Sequence, residues 1–258
     1  MKIRGKIIVI TGASSGIGKS LKSRFEKENT VVSVSRSANF PDIACDLSDA
    51  EQVGRAAEQI KQRFGRVDVL INNAGYGLYG AAELLGEEET EKQFAVNLTG
   101  AVNFTRLMLP LMQEGGRIIN ISSACALFPL PFRTMYCASK AGLLMFSHGL
   151  KMELEPYGIQ VTAVCPGDIK TPFTVHRVKN YATNARYGDR ISRADAVISS
   201  REDKRMPESY AVNKIYGIIA KRRYKPMYIV GKKYKLLYFM YRIVPHGWFF
   251  AATRRLFS

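Results

Sequence analysis

The sequence predicts an α/β fold: a doubly wound parallel sheet with helices on both faces, built as a single domain over residues 1–258. Three observations carry this. Short Ile/Val-rich runs alternate with helical periods along the chain. Those runs are apolar throughout rather than at every second residue, as in strands buried on both faces. No Gly/Ser/Pro-rich linker, low-complexity run or internal repeat divides them. A composition of 47% hydrophobic and 23% charged residues supplies a large core and excludes disorder, collagen and a small disulfide-stapled scaffold.

The elements follow in order. KIIVI (6–10) is the first strand; it runs into a glycine turn without the long apolar stretch and cleavage site of a secretory signal, so the N-terminus reads as mature structure. A helix through Ile17, Leu21 and Phe25 leads to the strand TVVSVS (30–35), and one through Val53, Ala57, Ile60 and Phe64 leads to VDVLIN (67–72). A third helical period, Phe94, Leu98, Ala101, Thr105 and Leu109, precedes GRIINIS (116–122). A fourth, Ala138, Ala141, Met145 and Met152, precedes GIQVTAV (158–164). Between about 173 and 206 the pattern weakens into polar, basic text; an irregular segment after a strand's C-terminal end is the expected substrate loop. A helix over roughly Pro207–Lys221 and a last strand, MYIV (227–230), complete the sheet.

The turn T-G-A-S-S-G-I-G, Thr11–Gly18, lies between the first strand and its helix. Glycines at 12, 16 and 18 let the backbone turn sharply, approach a diphosphate and aim a helix N-terminus at negative charge. In this position the turn reads as a Rossmann-type dinucleotide-binding motif. The second strand ends at Ser35 and Arg36 follows, where an NAD site usually presents a carboxylate. A guanidinium there offers donors to a 2′-phosphate, which favours NADP(H) over NAD(H). Asp46 in C-D-L-S is either an acceptor for the adenine amino group or part of a helix cap.

Tyr136-Cys-Ala-Ser-Lys140 places a phenol and an ammonium one helical turn apart on one face. A fixed positive charge nearby lowers a tyrosine pKa toward the range of a general acid or base, the chemistry that accompanies hydride transfer. Ser122 and Ser123 end a strand at the same sheet edge, where a hydroxyl can hydrogen-bond a substrate oxygen. Cys45, Cys125, Cys137 and Cys165 lack C-x-x-C spacing and read as reduced core residues of a cytoplasmic protein, with no metal site expected. His148 reads as helix packing or surface, His176 as a substrate-loop residue and His246 as a turn beside Pro245.

Taken together, the sequence resembles the classical short-chain dehydrogenase/reductase family over roughly residues 5–172. The motifs that carry this are T-G-A-S-S-G-I-G, N-N-A-G at 72–75, Asn97, the I-S-S strand end, Y-C-A-S-K, and P-G-D-I-K-T at 166–171. The resemblance implies that Ser123, thirteen residues before the tyrosine, is the catalytic serine and polarises the substrate oxygen. It implies that Tyr136 exchanges the proton, that Lys140 holds the nicotinamide ribose and depresses the Tyr136 pKa, and that Asn97 holds a water connecting Lys140 to solvent. It implies a cofactor held by Gly12, Ser14, Ser15, Gly16, Ile17 and Gly18; by Arg36, Asp46 and Leu47; and by Asn73, Ala74 and Gly75 beside the adenosine ribose. Pro166, Gly167, Ile169 and Thr171 complete it, with Tyr136 and Lys140; Ile169 would meet the carboxamide and Thr171 a phosphate. Some NADP-using relatives carry a basic residue at the position of Ser15, so here Arg36 acts alone.

The net charge of +16 is concentrated at one end: from residue 201 onward there are fourteen Lys/Arg against three acids. The segment about 226–258 mixes these with aromatics and Trp248, too interrupted to cross a membrane but suited to an anionic membrane surface or to packing on a neighbour. Nucleic acid is the weaker partner, since no recognition module is visible. The expected function is NADP(H)-dependent interconversion of a ketone and a secondary alcohol on a hydrophobic, lipid-, steroid- or acyl-like substrate, with FPLPF (128–132) and Phe173 as pocket wall. The alternative is a catalytically silent NADP-sensing protein that docks through its basic end. Relatives associate through helices around 90–112 and 137–155, so a homo-oligomer is expected, cytoplasmic or peripheral at a membrane.

Overall fold

The computed structural model describes residues 3–200 and 202–256. The first half runs β1 (Ile7–Thr11), α1 (Gly16–Phe25), β2 (Thr30–Ser35), β3 (Ile43–Ala44), α2 (Ala50–Phe64) and β4 (Val69–Asn72). The second runs β5 (Leu78–Tyr79), α3 (Glu87–Phe94), α4 (Gly100–Met108), β6 (Arg117–Ile121), α5 (Thr134–Leu154) and β7 (Gln160–Pro166). The chain continues through β8 (Ile169–Lys170), α6 (Pro172–Val175), β9 (Val178–Lys179), α7 (Arg190–Ser199), β10 (Met206–Pro207), α8 (Glu208–Ile219) and β11 (Met227–Val230). It ends in α9 (Lys232–Ile243) and α10 (His246–Leu256).

The seven-stranded central sheet has the order β11-β7-β6-β4-β1-β2-β3, and every pair in it is parallel. From β1 the chain winds outward to β3, then returns to β4 on the other side. The carboxyl ends of β1 and β4 therefore flank the switch point where open sheets of this kind bind ligands. One face of the sheet packs Leu21 and Phe25 of α1 with Ala211, Ile215 and Ile219 of α8; the other packs Val53 and Ile60 of α2 with Phe104 and Met108 of α4 and Leu150 of α5. Helices on both faces make the sheet a Rossmann-like domain, as the unbroken apolar strand runs require.

Local chemistry sets the boundaries. Asp49 caps α2 by accepting from the Glu51 and Gln52 N–H groups, and Gly65 ends it in a left-handed conformation at φ 66°. The single helical period read over Phe94–Leu109 is divided: a π-helical turn, Ala95–Thr99, separates α3 from α4 and carries Asn97. Gly100 follows it because a Cβ there would stand 2.3 Å from the Leu47 carbonyl oxygen.

The segment 173–206 is more ordered than its text suggests. It contains α7, whose Ile191, Ala194 and Ile198 pack with Tyr79, Ala81 and Phe132 in a small separate core. The ladders β5 with β9 and β8 with β10 tie it to the sheet's carboxyl edge. Its polarity has a structural use: Lys179 and Tyr181 donate to the Asp195 carboxylate at 2.7 and 2.5 Å.

Candidate active site

Gly12 and Gly16 take left-handed backbone, φ 69° and 52°. A Cβ on Gly12 would stand 2.7 Å from Ala74 Cα, and one on Gly18 would stand 2.4 Å from the Gly12 carbonyl oxygen. Asn73 locks this turn: its Nδ2 donates to the Thr11 and Gly12 carbonyls at 3.1 and 2.9 Å, and its N–H to Thr11 Oγ1 at 3.0 Å. From the other side of the cleft, Thr171 brings its Cβ within 3.7 Å of where a Gly16 Cβ would be.

These turns border a cleft of about 930 Å³. Every residue expected to hold a cofactor lines it except Gly18, which is buried beneath the turn. Arg36 is exposed at its edge beside Ser37, and the neighbouring Ser35 hydroxyl is buried with no hydrogen-bond partner. An orphaned hydroxyl and a cradle that a Cβ would fill both fit a dinucleotide. Asp46 accepts from the Ser48 N–H and hydroxyl at 2.9 and 2.6 Å, while Asp49 is the helix cap. Burial alone would raise the Asp46 carboxyl, but the Ser48 hydrogen bonds and the Arg36 and Lys92 charges hold it below the usual range.

At the other end of the cleft β6 delivers Ser122 and Ser123, and α5 delivers Tyr136 and Lys140. The two serines divide their work. Ser122 donates to the Lys140 carbonyl at 2.8 Å and fastens strand to helix, whereas Ser123 lines the cleft together with Tyr136 and its hydroxyl accepts from the Cys125 N–H at 3.1 Å. Lys140 donates from Nζ to the Ile121 carbonyl at 3.0 Å. Asn97 is fully buried and lies behind Gly75 rather than on the cleft wall. It accepts from the Tyr76 N–H and donates to the Tyr76 carbonyl, both at 3.0 Å, and its Nδ2 also donates to Ser139 Oγ at 3.2 Å. Gly75 leaves the room: a Cβ there would meet Asn97 Oδ1 at 2.9 Å and Lys140 Nζ at 3.2 Å.

The electrostatics differ from the expectation that Lys140 depresses the Tyr136 pKa. Burial pushes the Tyr136 phenol up, Cys125 adds to this, and only the Ser123 hydrogen bond and the Arg133 charge pull it down. Burial also pushes the Lys140 ammonium down to about 8 from an ordinary 10.5. Between these values the unfolded chain holds a proton on Lys140 that the folded protein releases, so this residue's contribution to stability rises with pH. The unfolding free energy of the wild type minus that of Lys140→Met should therefore grow between pH 8 and 10.5, by about 3 kcal/mol at most. Urea denaturation at both ends of the window reads this, and a difference that is flat or falls would contradict it.

Sequence reasoning missed part of the wall. Phe128 and Phe132 do not line the cleft: Phe128 packs against Phe249, with ring centroids 6.1 Å apart, and Phe132 joins the small core around Tyr79. Phe132 has a left-handed backbone, φ 59°, uncommon for a bulky residue, and this turn releases the chain into α5. The cleft wall here is Cys125, Arg133, Asp168, Phe173, His176 and Arg177. Phe173, His176 and Arg177 fall in the expected substrate segment and Asp168 in the P-G-D-I-K-T motif, but of the six the sequence singles out only Phe173 and His176 as pocket or substrate-loop residues. All four cysteines are free and buried, and the neighbouring Cys137 thiol and the Arg133 charge hold the Cys125 thiol below its ordinary range. His246 stacks on Tyr241 at 4.8 Å.

This arrangement has close counterparts. The short chain dehydrogenase family model matches residues 6–182. A 3-ketodihydrosphingosine reductase of Bacteroides thetaiotaomicron is 39% identical over 207 residues, covering 76% of this chain and 77% of its own. Among solved structures, a short-chain dehydrogenase from Streptomyces avermitilis superposes with a TM-score of 0.82 at 28% identity, covering 94% of each chain. A 3-ketoacyl-(acyl-carrier-protein) reductase from Brucella melitensis complexed with NADH gives 0.73 at 27% identity, covering 89% of this chain and 98% of its own. The chain thus belongs to the short-chain dehydrogenase family, oxidoreductases that act between keto and hydroxyl groups with a nicotinamide cofactor.

Proposed function

We propose that the protein reduces a ketone to a secondary alcohol with NADPH, through Ser123, Tyr136 and Lys140. The observation that carries this is the convergence of the three side chains on one cleft wall, at the far end of a glycine cradle that fits a dinucleotide. A bound nicotinamide supplies the hydride. Ser123 presents its hydroxyl to the substrate oxygen, and Tyr136 gives that oxygen a proton as negative charge develops. The phenol keeps its proton at neutral pH, because burial holds its pKa up, so it starts as the acid that a reduction needs. Lys140, held by the Ile121 carbonyl, stands beneath Gly75 as the ribose-facing cation, with Asn97 fixing the Tyr76 backbone beside it. Leu78, Phe173 and Val178 give the cleft an apolar side, which supports a substrate with a hydrocarbon chain. Following NADPH absorbance across a panel of long-chain ketones tests the reading; no turnover of any would overturn it.

Preference for NADPH rests on Arg36, an exposed guanidinium at the cleft edge with Ser37 beside it. Loss of a charge-assisted contact to a phosphate costs about 1.5–3 kcal/mol, roughly ten- to a hundredfold in affinity. Arg36→Ala should therefore weaken NADPH by that factor and change NADH little, as read by cofactor fluorescence titration. Equal losses for the two would remove Arg36 from 2′-phosphate recognition.

Two surfaces complete the proposal. Leu107 of α4 and Met145 and Met152 of α5 are exposed, which supports a homo-oligomer built on these helices; a monomer in sedimentation velocity would overturn it. Among the described residues no helix is long and apolar enough to cross a membrane. The outer face of α9 and α10, basic and apolar together, supports contact with an anionic membrane surface instead.

A further inference from the structure

We propose that the substrate carries an anionic group near its carbonyl, and that Arg133 and Arg177 bind it. The inference rests on the reading of the cleft as a ketone-reducing site and narrows its substrate class. Arg133 stands at the N-terminus of α5, three residues before Tyr136, and shares the cleft wall with Ser123, Cys125 and Tyr136. It is 5% exposed. Its one side-chain hydrogen bond among the described residues is a long one to Cys125 Sγ at 3.9 Å, and its buried Nε has no partner. A buried cation whose donors are unmet is costly unless a partner arrives.

A second buried arginine shows what satisfied means in this protein. Arg117, 7% exposed, donates to the Ile219 carbonyl at 2.7 Å and lies over the Tyr224 ring at 5.8 Å. Arg133 has no such arrangement.

Arg177 reaches the same cavity from the segment after α6. Its stem lies against Gly77, where a Cβ would meet Cγ and Nε at 3.2 Å. Among the described residues it forms no ion pair or side-chain hydrogen bond. Burial first, and the Arg133 charge second, push it down to about 10. Two like charges turned into one cavity repel each other unless an anion lies between them. Asp168 is the carboxylate whose field reaches both, but its Oδ2 accepts the Tyr234 hydroxyl at 2.9 Å, and it forms no ion pair with either arginine. Both arginines interact with Tyr136 and Cys125, at the catalytic end of the cleft, away from Arg36, whose charge acts on Asp46. The charge of Cys125 also reaches both, its thiol held below its ordinary range by Cys137 and Arg133, but at 3.9 Å it meets one Arg133 nitrogen and leaves the buried Nε without a partner; that donor and the Arg177 fork are what an anion on the substrate would meet. A carboxylate or a phosphate meets the guanidinium fork equally well, and the ammonium of a sphingoid base would meet two cations.

The test compares 3-oxododecanoate, its methyl ester and a long-chain 2-amino-3-ketone on the full-length protein with NADPH. The acid should show at least tenfold higher kcat/KM than the ester, with the aminoketone lowest. Arg133→Gln and Arg177→Gln should each bring the acid-to-ester ratio toward one; the ratio is taken within each variant, so a general loss of activity cancels. Competition by dodecanoate against dodecyl phosphate then separates carboxylate from phosphate. Calorimetric titration of dodecanoate into wild type and Arg177→Gln reads the anion site without turnover, and the variant should bind at least tenfold more weakly. Equal use of acid and ester, preference for the aminoketone, or dodecanoate binding that ignores Arg177 overturns the proposal and leaves ketone reduction standing. Loss of all turnover with dodecanoate binding intact would instead fault the proposed reaction.

Discussion

Tyr136→Phe should abolish turnover while leaving NADPH bound. The substitution removes one oxygen, the group that in the proposed mechanism gives the substrate oxygen its proton; loss of a positioned general acid costs about 10²–10⁴ in rate. The ring itself stays. It packs 6.1 Å from Phe173 and beside Leu130 and Cys137, none of which contacts the oxygen as a hydrogen-bond partner. Lys140 is held by the Ile121 carbonyl rather than by the phenol, so its position is independent of the missing hydroxyl. Steady-state rates should fall by at least a hundredfold, with a cofactor dissociation constant within a few-fold of wild type. A variant that keeps wild-type turnover would sink the Ser123-Tyr136-Lys140 mechanism. A variant that loses cofactor binding as well would mean that the phenol holds the cleft together.

The raised Tyr136 pKa also sets a direction. At neutral pH the phenol is protonated and ready to give, whereas alcohol oxidation needs it ionised. Reduction should dominate near pH 7 and the oxidative rate should climb with pH.

The glycine turn, the N-N-A-G turn and the Y-x-x-x-K helix were legible because each demands particular residue types at fixed spacing, and the unbroken Ile/Val runs announced a parallel sheet. Arg133 and Arg177 were not legible, since a lone arginine in a loop reads as solvated surface. What buries Arg133 and lays Arg177 along the cleft is the left-handed turn at Phe132 and the bare backbone of Gly77, neither of which leaves a periodic signal. The same turn explains the misplaced hydrophobic wall, because it sends Phe132 into the core around Tyr79 rather than toward substrate. The helix α7 was hidden by its charged text, although Ile191, Ala194 and Ile198 hold helical spacing.

Binding to anionic vesicles is the second large effect expected, and the structure shows why packing and docking need not compete for the C-terminal end. One face of α9 is occupied: Tyr234, Leu237, Tyr238 and Tyr241 pack with Phe128, Leu144 and Cys165, and Tyr234 covers Gly167, where a Cβ would stand 2.0 Å from its ring. The opposite face exposes Leu236, Phe239, Met240 and Ile243, and α10 adds Trp248 and Phe250. Lys232, Lys233, Lys235 and Arg242 on α9 are exposed around it. Each basic residue near an anionic surface contributes about 1 kcal/mol, so engaging all four strengthens binding by roughly a thousandfold. Trp248 is 76% exposed, so its emission starts red-shifted and should move to the blue on vesicles rich in phosphatidylserine. It should change little with phosphatidylcholine alone and recover as salt screens the attraction. Charge reversal, Lys232→Glu with Lys233→Glu and Lys235→Glu, is the preferred variant. Deleting residues 232–258 would also remove the Tyr234 cover from Gly167 and damage the cofactor turn, confusing docking with folding. The triple variant should keep its cofactor affinity and fail to cosediment; cosedimentation undiminished by charge reversal, or none by the wild type at low salt, would show that this face meets something other than an anionic membrane.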